Sequence, residues 1–269
     1  MYKVGVIGLG KMGGALVRAI LDKNLISPEN ILIFEKIKEK AYPFEKRGVR
    51  FLPPDQMSRK LDILIIAVEP KNVKEVLESF RGKLNSSQIV ISIAAGITTS
   101  FISRILGNSI PILRVMPNSA ILAGEGMCVI STPDREVDEG KISFVKKIFK
   151  SVGDIVELPE ESLDAVTGLS GSGPAYVYLM IQGLIKGGKM AGLTGDVSRR
   201  LATQTVLGAA KLLKESKREI NDLISSVATP GGTTIEGLKV LREGNFVDLI
   251  ARAVMKATQR ARQIRKEIN

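Results

Sequence analysis

Two clusters in the chain have residue types and spacing suited to chemistry. The first is "VIGLGKMGGA", which sets Gly8, Gly10 and Gly13 in the pattern G-x-G-x-x-G directly after an apolar run. Followed by a helical pattern, it predicts a strand, a tight turn and a helix whose free N-terminal amides receive a pyrophosphate. Gly8 permits the turn, Gly10 lets a phosphate approach the backbone, and Gly13 lets the helix pack closely on the strand. Lys11 and Met12 belong to the same loop and count as cofactor-contacting positions. The second cluster is "TPGGTT", Thr229 to Thr234, at a junction between two helical patterns. A helix start needs one capping residue. A proline, two glycines and two threonines exceed that need.

Four further strand ends fall near a dinucleotide. The second apolar run, "NILIFE", ends at Glu35, where a carboxylate accepts hydrogen bonds from an adenosine ribose diol and repels a 2′-phosphate. Lys36, Lys38 and Lys40 follow at once and attract such a phosphate, so NAD and NADP both stay open. The other apolar runs end in "AVEP" (Ala67, Val68, Glu69, Pro70), "IAAG" (closing on Ala95 and Gly96) and "RVMPN" (Met116, Pro117, Asn118). Small residues there leave room for the second half of a cofactor. Asn118 offers both a donor and an acceptor, suited to a carboxamide or, equally, to capping a loop.

The composition excludes other chemistries. The chain of 269 residues has no histidine and one cysteine, Cys128. Imidazole catalysis, an intramolecular disulfide and thiolate metal clusters are therefore ruled out, and no metal is expected. Cys128, inside the apolar run "GMCVI", reads as a buried, inert thiol. The formal net charge of +11 is spread along the chain, and aromatic residues make up 4%. Base-stacking platforms are thus scarce, and a lysine-rich surface outweighs nucleic-acid binding. No apolar run reaches membrane-spanning length, and the N-terminus lacks signal-peptide features. The expectation is a soluble, cytoplasmic protein with no membrane partner.

The elements that must hold these residues alternate. Seven apolar runs, most of them separated by helical patterns, predict a doubly wound α/β domain over residues 1–160. One intervening helix is expected to be disturbed by Pro43. From "PEESLDAV" onward the pattern is helical throughout, giving a second domain over 161–269. Its helices are expected over 162–190, bent around Gly171 to Pro174, then over 196–216, 219–227, 233–242 and 246–268. Their apolar faces exceed what one thin layer covers, which predicts a homodimer.

Taken together, "GLGKMGGAL", "AVEP", "SIAAGIT", "RVMPNS", "GLSGSGPAYVYL" and "TPGGTTIEGL" resemble pyrroline-5-carboxylate reductase across essentially the whole chain. The resemblance implies an N-terminal Rossmann domain and an all-helical C-terminal dimerisation domain, with dimers that in some members build a decamer. It implies reduction of 1-pyrroline-5-carboxylate to L-proline with NADPH or NADH, the last step of proline biosynthesis. Three departures lie on the cofactor side: Glu69 where the family usually has lysine, Lys11 where it commonly has asparagine, and "FEKIKEK" where it commonly has serine and a basic residue.

With that substrate, "TPGGTT" acquires a reading. Pro230 ends one helix, Gly231 and Gly232 turn the chain, and the amides of Gly232, Thr233 and Thr234 start the next helix as a carboxylate site without arginine. The hydroxyl of Thr234 or of Thr229 contacts the imine nitrogen, and the resemblance assigns the catalytic role to Thr234. Ser172, in "SGSGPAY", is a candidate substrate contact, although Pro174 equally marks a helix start. Two rival readings stand beside this one. One is a related imine reductase or β-hydroxyacid dehydrogenase using Lys186 or Lys189. The other is a non-catalytic dinucleotide-sensing dimer.

Overall fold

The structure is a computed structural model that describes residues 2–131 and 137–268. In chain order its first elements are β1 (Val4–Ile7), α1 (Lys11–Asp22), β2 (Ile31–Phe34), α2 (Tyr42–Glu45), β3 (Arg50–Phe51), α3 (Pro54–Met57), β4 (Ile63–Ile66), α4 (Pro70–Phe80), β5 (Ile89–Ser92) and α5 (Thr99–Leu106). They continue with β6 (Ile112–Pro117), β7 (Gly126–Ser131), α6 (Glu139–Lys150), β8 (Gly153–Leu158) and α7 (Leu163–Val166). The strands form one sheet in the order β3-β2-β1-β4-β5-β6-β7-β8. Every pairing is parallel except β6 with β7. The chain order reverses between β1 and β4, and such a reversal opens a crevice at the carboxyl ends of the strands.

Strand periodicity explains the continuous apolar runs. Val4, Val6, Ile31, Ile33, Ile63 and Ile65 join one buried cluster, with Leu16, Val17 and Ile20 of α1 and Val145, Ile148 and Phe149 of α6. The alternate residues Ile7, Leu32, Leu64 and Ile66 join the other, with Val73, Leu77 and Phe80 of α4 and Ile102 and Leu106 of α5. Helices cover both faces, so both residue parities must be apolar. Two details refine the sequence reading. β3 is a two-residue strand that carries too little pattern to show in sequence. Pro43 sits at the second position of α2, where a missing N–H costs nothing, so it starts the helix rather than disturbing it.

Leu163 and Val166 of α7 bury against Val129 of β7, with Met116 and Leu158 beside them. The chain then makes a π-helical turn, Thr167–Gly171. The first compact unit therefore runs on to Ser172 and also includes the chain from Met255. In that returning segment Arg265 pairs with buried Asp164 at 3.1 Å, and Ile268 packs beside the second cluster.

The second compact unit is Gly173–Val254. It comprises α8 (Gly173–Met190), α9 (Gly195–Glu215), α10 (Ile220–Val227), α11 (Thr233–Glu243) and the start of α12 (Phe246–Ile268). α8 and α9 approach closely at Gly188, where a Cβ would stand 2.8 Å from the Ser198 hydroxyl. Ser198 and Ala202 are the buried residues of this unit, while Leu179, Leu207, Val240 and Val247 are all more than half exposed. By itself the unit has helices but no core. Among the described residues no helix is long and apolar enough to cross a membrane.

Candidate functional site

The turn between β1 and α1 has the geometry that its glycines require. Gly8 adopts φ +94°, and a Cβ there would lie 2.7 Å from the Ala67 carbonyl oxygen. A Cβ on Gly13 would overlap the Gly8 carbonyl and lie 2.9 Å from the Ala67 side chain. Gly10 is different. It has φ −64°, and nothing lies within 4 Å of the position its Cβ would take. Gly8 and Gly13 are small because the protein fills the space, whereas the space at Gly10 stays open. Gly10 is also the N-cap of α1, with no side-chain cap and no acidic residue in the first turn. Uncapped amides with an open approach are what a pyrophosphate needs.

Beside this turn lies a cavity of about 370 Å³. Gly8, Gly10, Glu35, Ala67 and Val68 all line it, together with Phe34, Lys36, Ile37, Lys40, Glu69 and Lys71. Glu35 is held rigidly: Oε2 accepts from the Leu9 amide at 2.7 Å and Oε1 from the Ile37 amide at 3.1 Å. Each oxygen keeps lone-pair capacity for a ribose hydroxyl. Two of the three lysines that line the cavity are engaged with carboxylates of the chain. Lys36 Nζ donates to both oxygens of Glu75 at 2.8 Å. Lys71 pairs with Glu69 at 2.8 Å, and that contact holds the Glu69 carboxyl below the usual range while raising Lys71.

The remaining cofactor-side positions follow along the same sheet edge. Lys11, Met12 and Gly13 open α1, and Pro70 opens α4. Ala95 and Gly96 follow β5, and Met116 and Pro117 close β6. Two of these have partners within the chain. The space at Gly96 is taken, because its Cβ would meet Ile264 of α12 at 3.0 Å. Its smallness and its φ of +78° suit the turn and this packing. Asn118 caps the short helical turn after β6: Oδ1 accepts from the Ala120 and Met127 amides at 3.2 and 3.1 Å, and Nδ2 points to the Ser170 hydroxyl at 3.4 Å. It ties β6 to β7 and to the π-helical turn. Ser172 closes that turn, its hydroxyl donating to the Thr167 carbonyl at 3.0 Å.

In the second unit, "TPGGTT" forms the start of α11. Gly231 takes φ +74°, and a Cβ on Gly232 would lie 2.6 Å from the Thr229 hydroxyl oxygen. Of the three amides expected to face a carboxylate, that of Gly232 is already used, because it closes the turn by donating to the Thr229 carbonyl at 2.9 Å. The amides of Thr233 and Thr234 are the first two of α11. They have no intrahelical acceptor, and no side chain caps the helix. Thr233 is exposed and Thr234 half-buried. Lys186 and Lys189 line an open groove on α8 with Gln182 and Met190.

Two features escaped the sequence reading. Arg114, 3% exposed within β6, donates to Glu160 at 3.0 Å, and Glu160 also accepts from the Thr99 amide and hydroxyl. A charge inside an apolar strand signals a buried partner, but nothing in the spacing singles out Glu160. Ser170, the contact of Asn118, lay within a noted motif without a separate reason to stand out. Cys128 is buried, and burial pushes its thiol up to about 12, so it is unreactive at neutral pH.

Sheet order, switch point and glycine turn define the class: a Rossmann-type dinucleotide-binding protein with a helical C-terminal region. Comparison with known proteins sharpens this. Residues 3–96 match the family described as "NADP oxidoreductase coenzyme F420-dependent". Residues 160–264 match "Pyrroline-5-carboxylate reductase dimerisation". The pyrroline-5-carboxylate reductase of Synechocystis is 38% identical over 98% of this chain and 99% of its own. That of Aquifex aeolicus is 35% identical over 97% of each. The structure of Plasmodium falciparum pyrroline carboxylate reductase with NADP bound superposes at a TM-score of 0.87, with 32% identity over 98% of both chains. The Coxiella burnetii reductase gives 0.91, with 31% identity and the same coverage. The chain belongs to the pyrroline-5-carboxylate reductase family.

Proposed function

We propose that this chain is an NAD(P)H-dependent oxidoreductase that reduces 1-pyrroline-5-carboxylate to L-proline, the last step of proline biosynthesis. The observation that carries the substrate side is the uncapped start of α11, in a family member whose matched relatives bear this activity in their names. Thr233 and Thr234 offer two adjacent amides to the substrate carboxylate, which fixes the ring at a point remote from the reacting carbon. Positioning of this kind supplies up to roughly 7–11 kcal/mol of a barrier. Reduction adds a hydride to the imine carbon and a proton to the nitrogen, and bound NAD(P)H supplies the hydride. The Thr234 hydroxyl both donates and accepts, so it holds the nitrogen as imine or as amine. With no histidine in the chain, the net proton comes from water or arrives on a protonated substrate.

On the cofactor side, the α1 amides beyond Gly10 receive the pyrophosphate and Glu35 the adenosine ribose. Ala67 and Val68 wall that pocket, while Ala95, Met116, Pro117 and Asn118 are assigned to the nicotinamide side. Asn118 Nδ2 carries a second hydrogen for a carboxamide. Thr229, Gly231 and Gly232 shape the carboxylate turn, and Ser172 is retained as a substrate contact. Residues 1–160 form the dinucleotide-binding domain and 161–269 the helical one, a division supported by the family match that begins at residue 160. The enzyme is a cytoplasmic homodimer, the unit from which some members of the family build a decamer. The uncovered apolar faces of α8 to α12 support the dimer. The decisive experiment is spectrophotometric oxidation of NADPH and of NADH by the purified chain with 1-pyrroline-5-carboxylate. Absence of oxidation with both would overturn the reading.

A further inference from the structure

The adenosine cavity carries an unusual charge arrangement. Lys36 stands next to Glu35, the carboxylate assigned to the ribose, and is the nearest basic residue in sequence to the 2′ position. Its Nζ instead reaches across to α4, where both oxygens of Glu75 hold it at 2.8 Å. Lys71, another cation of this cavity, is held by Glu69. Two of the three lysines lining the cavity are thus drawn into ion pairs with carboxylates of the chain itself, while Lys40 acts on Glu69 from beyond ion-pair distance.

We propose that Glu75 is a specificity-determining residue, which selects against a 2′-phosphorylated dinucleotide by holding Lys36 away from the ribose that Glu35 receives. Glu75 does not line the cavity, so it acts through Lys36 alone. A 2′-phosphate must take Lys36 from Glu75, whereas an unphosphorylated ribose leaves the pair intact. The size of the effect follows from exposure. The two side chains are 63% and 66% exposed, and exposed ion pairs are weak and screened by salt. Glu75 therefore modulates cofactor choice, while the rigid Glu35 beside the ribose dominates it.

This inference rests on the dinucleotide reading of the cavity, so the test carries a control for that reading. Dissociation constants for NADPH and NADH are measured at low ionic strength for the parent, Glu75→Gln, Glu75→Gln with Lys36→Met, and Gly10→Val. Glu75→Gln is expected to tighten NADPH binding by roughly threefold, the scale of an exposed pair, with NADH unchanged. Lys36→Met in that background is expected to abolish the gain, and 0.5 M salt to shrink it. A NADPH to NADH ratio unmoved by Glu75→Gln, or a gain that survives Lys36→Met, overturns the proposal. Undiminished binding of both cofactors by Gly10→Val instead overturns the site reading and the proposal with it.

Discussion

A side chain on Gly13 would overlap the carbonyl oxygen of Gly8, whereas one on Gly10, three residues earlier, would meet nothing within 4 Å. These two glycines of one motif are therefore small for different reasons, and their alanine variants should separate. Gly13→Ala overpacks a buried turn and should cost about 1–3 kcal/mol of stability, read as a fall in Tm. Gly10→Ala, at φ −64°, should leave Tm nearly unchanged and raise the KM of both cofactors. Equal loss of stability in the two variants would contradict the structure.

Glu35 should govern the choice between cofactors. The chain should use both, with NADH favoured, because a carboxylate fixed by the Leu9 and Ile37 amides opposes a 2′-phosphate. Glu35→Ser should shift the ratio of kcat/KM values toward NADPH by roughly tenfold, about 1.4 kcal/mol. Both absolute values should also fall, since the Leu9 amide loses its acceptor. The ratio is thus the proper readout, and an unmoved ratio would place Glu35 outside cofactor recognition.

The two threonines of α11 should behave differently. Thr234→Ala removes a hydroxyl assigned to the imine nitrogen and should lower kcat. Thr233→Ala keeps its amide but disturbs the start of the helix, and should act mainly on KM. A Thr234→Ala enzyme with parental kcat would remove the hydroxyl from the reaction. A proline complex checks the amides directly, with the carboxylate expected at hydrogen-bond distance from Thr233 N and Thr234 N.

The helical unit buries only Ser198 and Ala202 within itself. It should therefore be stable only against a second copy, as an obligate dimer at micromolar concentration. Light scattering that finds a monodisperse, active monomer would refute this.

Cys128 should not react with a thiol-specific reagent at pH 8 in the folded enzyme and should react stoichiometrically after denaturation. Its thiol is buried and pushed up to about 12, so the thiolate is essentially absent below pH 10.

Local pattern by itself determined the phosphate turn and the elements other than short ones such as β3. The strand runs, the helix of 246–268 and the glycine spacing are periodicities within a few residues, and short-range sterics impose them in any tertiary setting. The class of chemistry was also legible, because a chain without histidine and with one cysteine has few options. Only the tertiary structure decided where polar groups point. Nothing local distinguishes Asn118 as a cap on β7 and Ser170, or Gly96 as a seat for Ile264. Nor does sequence spacing reveal that Lys36 meets Glu75, 39 residues on, or that Arg114 meets Glu160, 46 residues on. Such partners are set by how strands and helices are laid side by side. Their separation along the chain carries no trace of a distance that the sheet order alone creates.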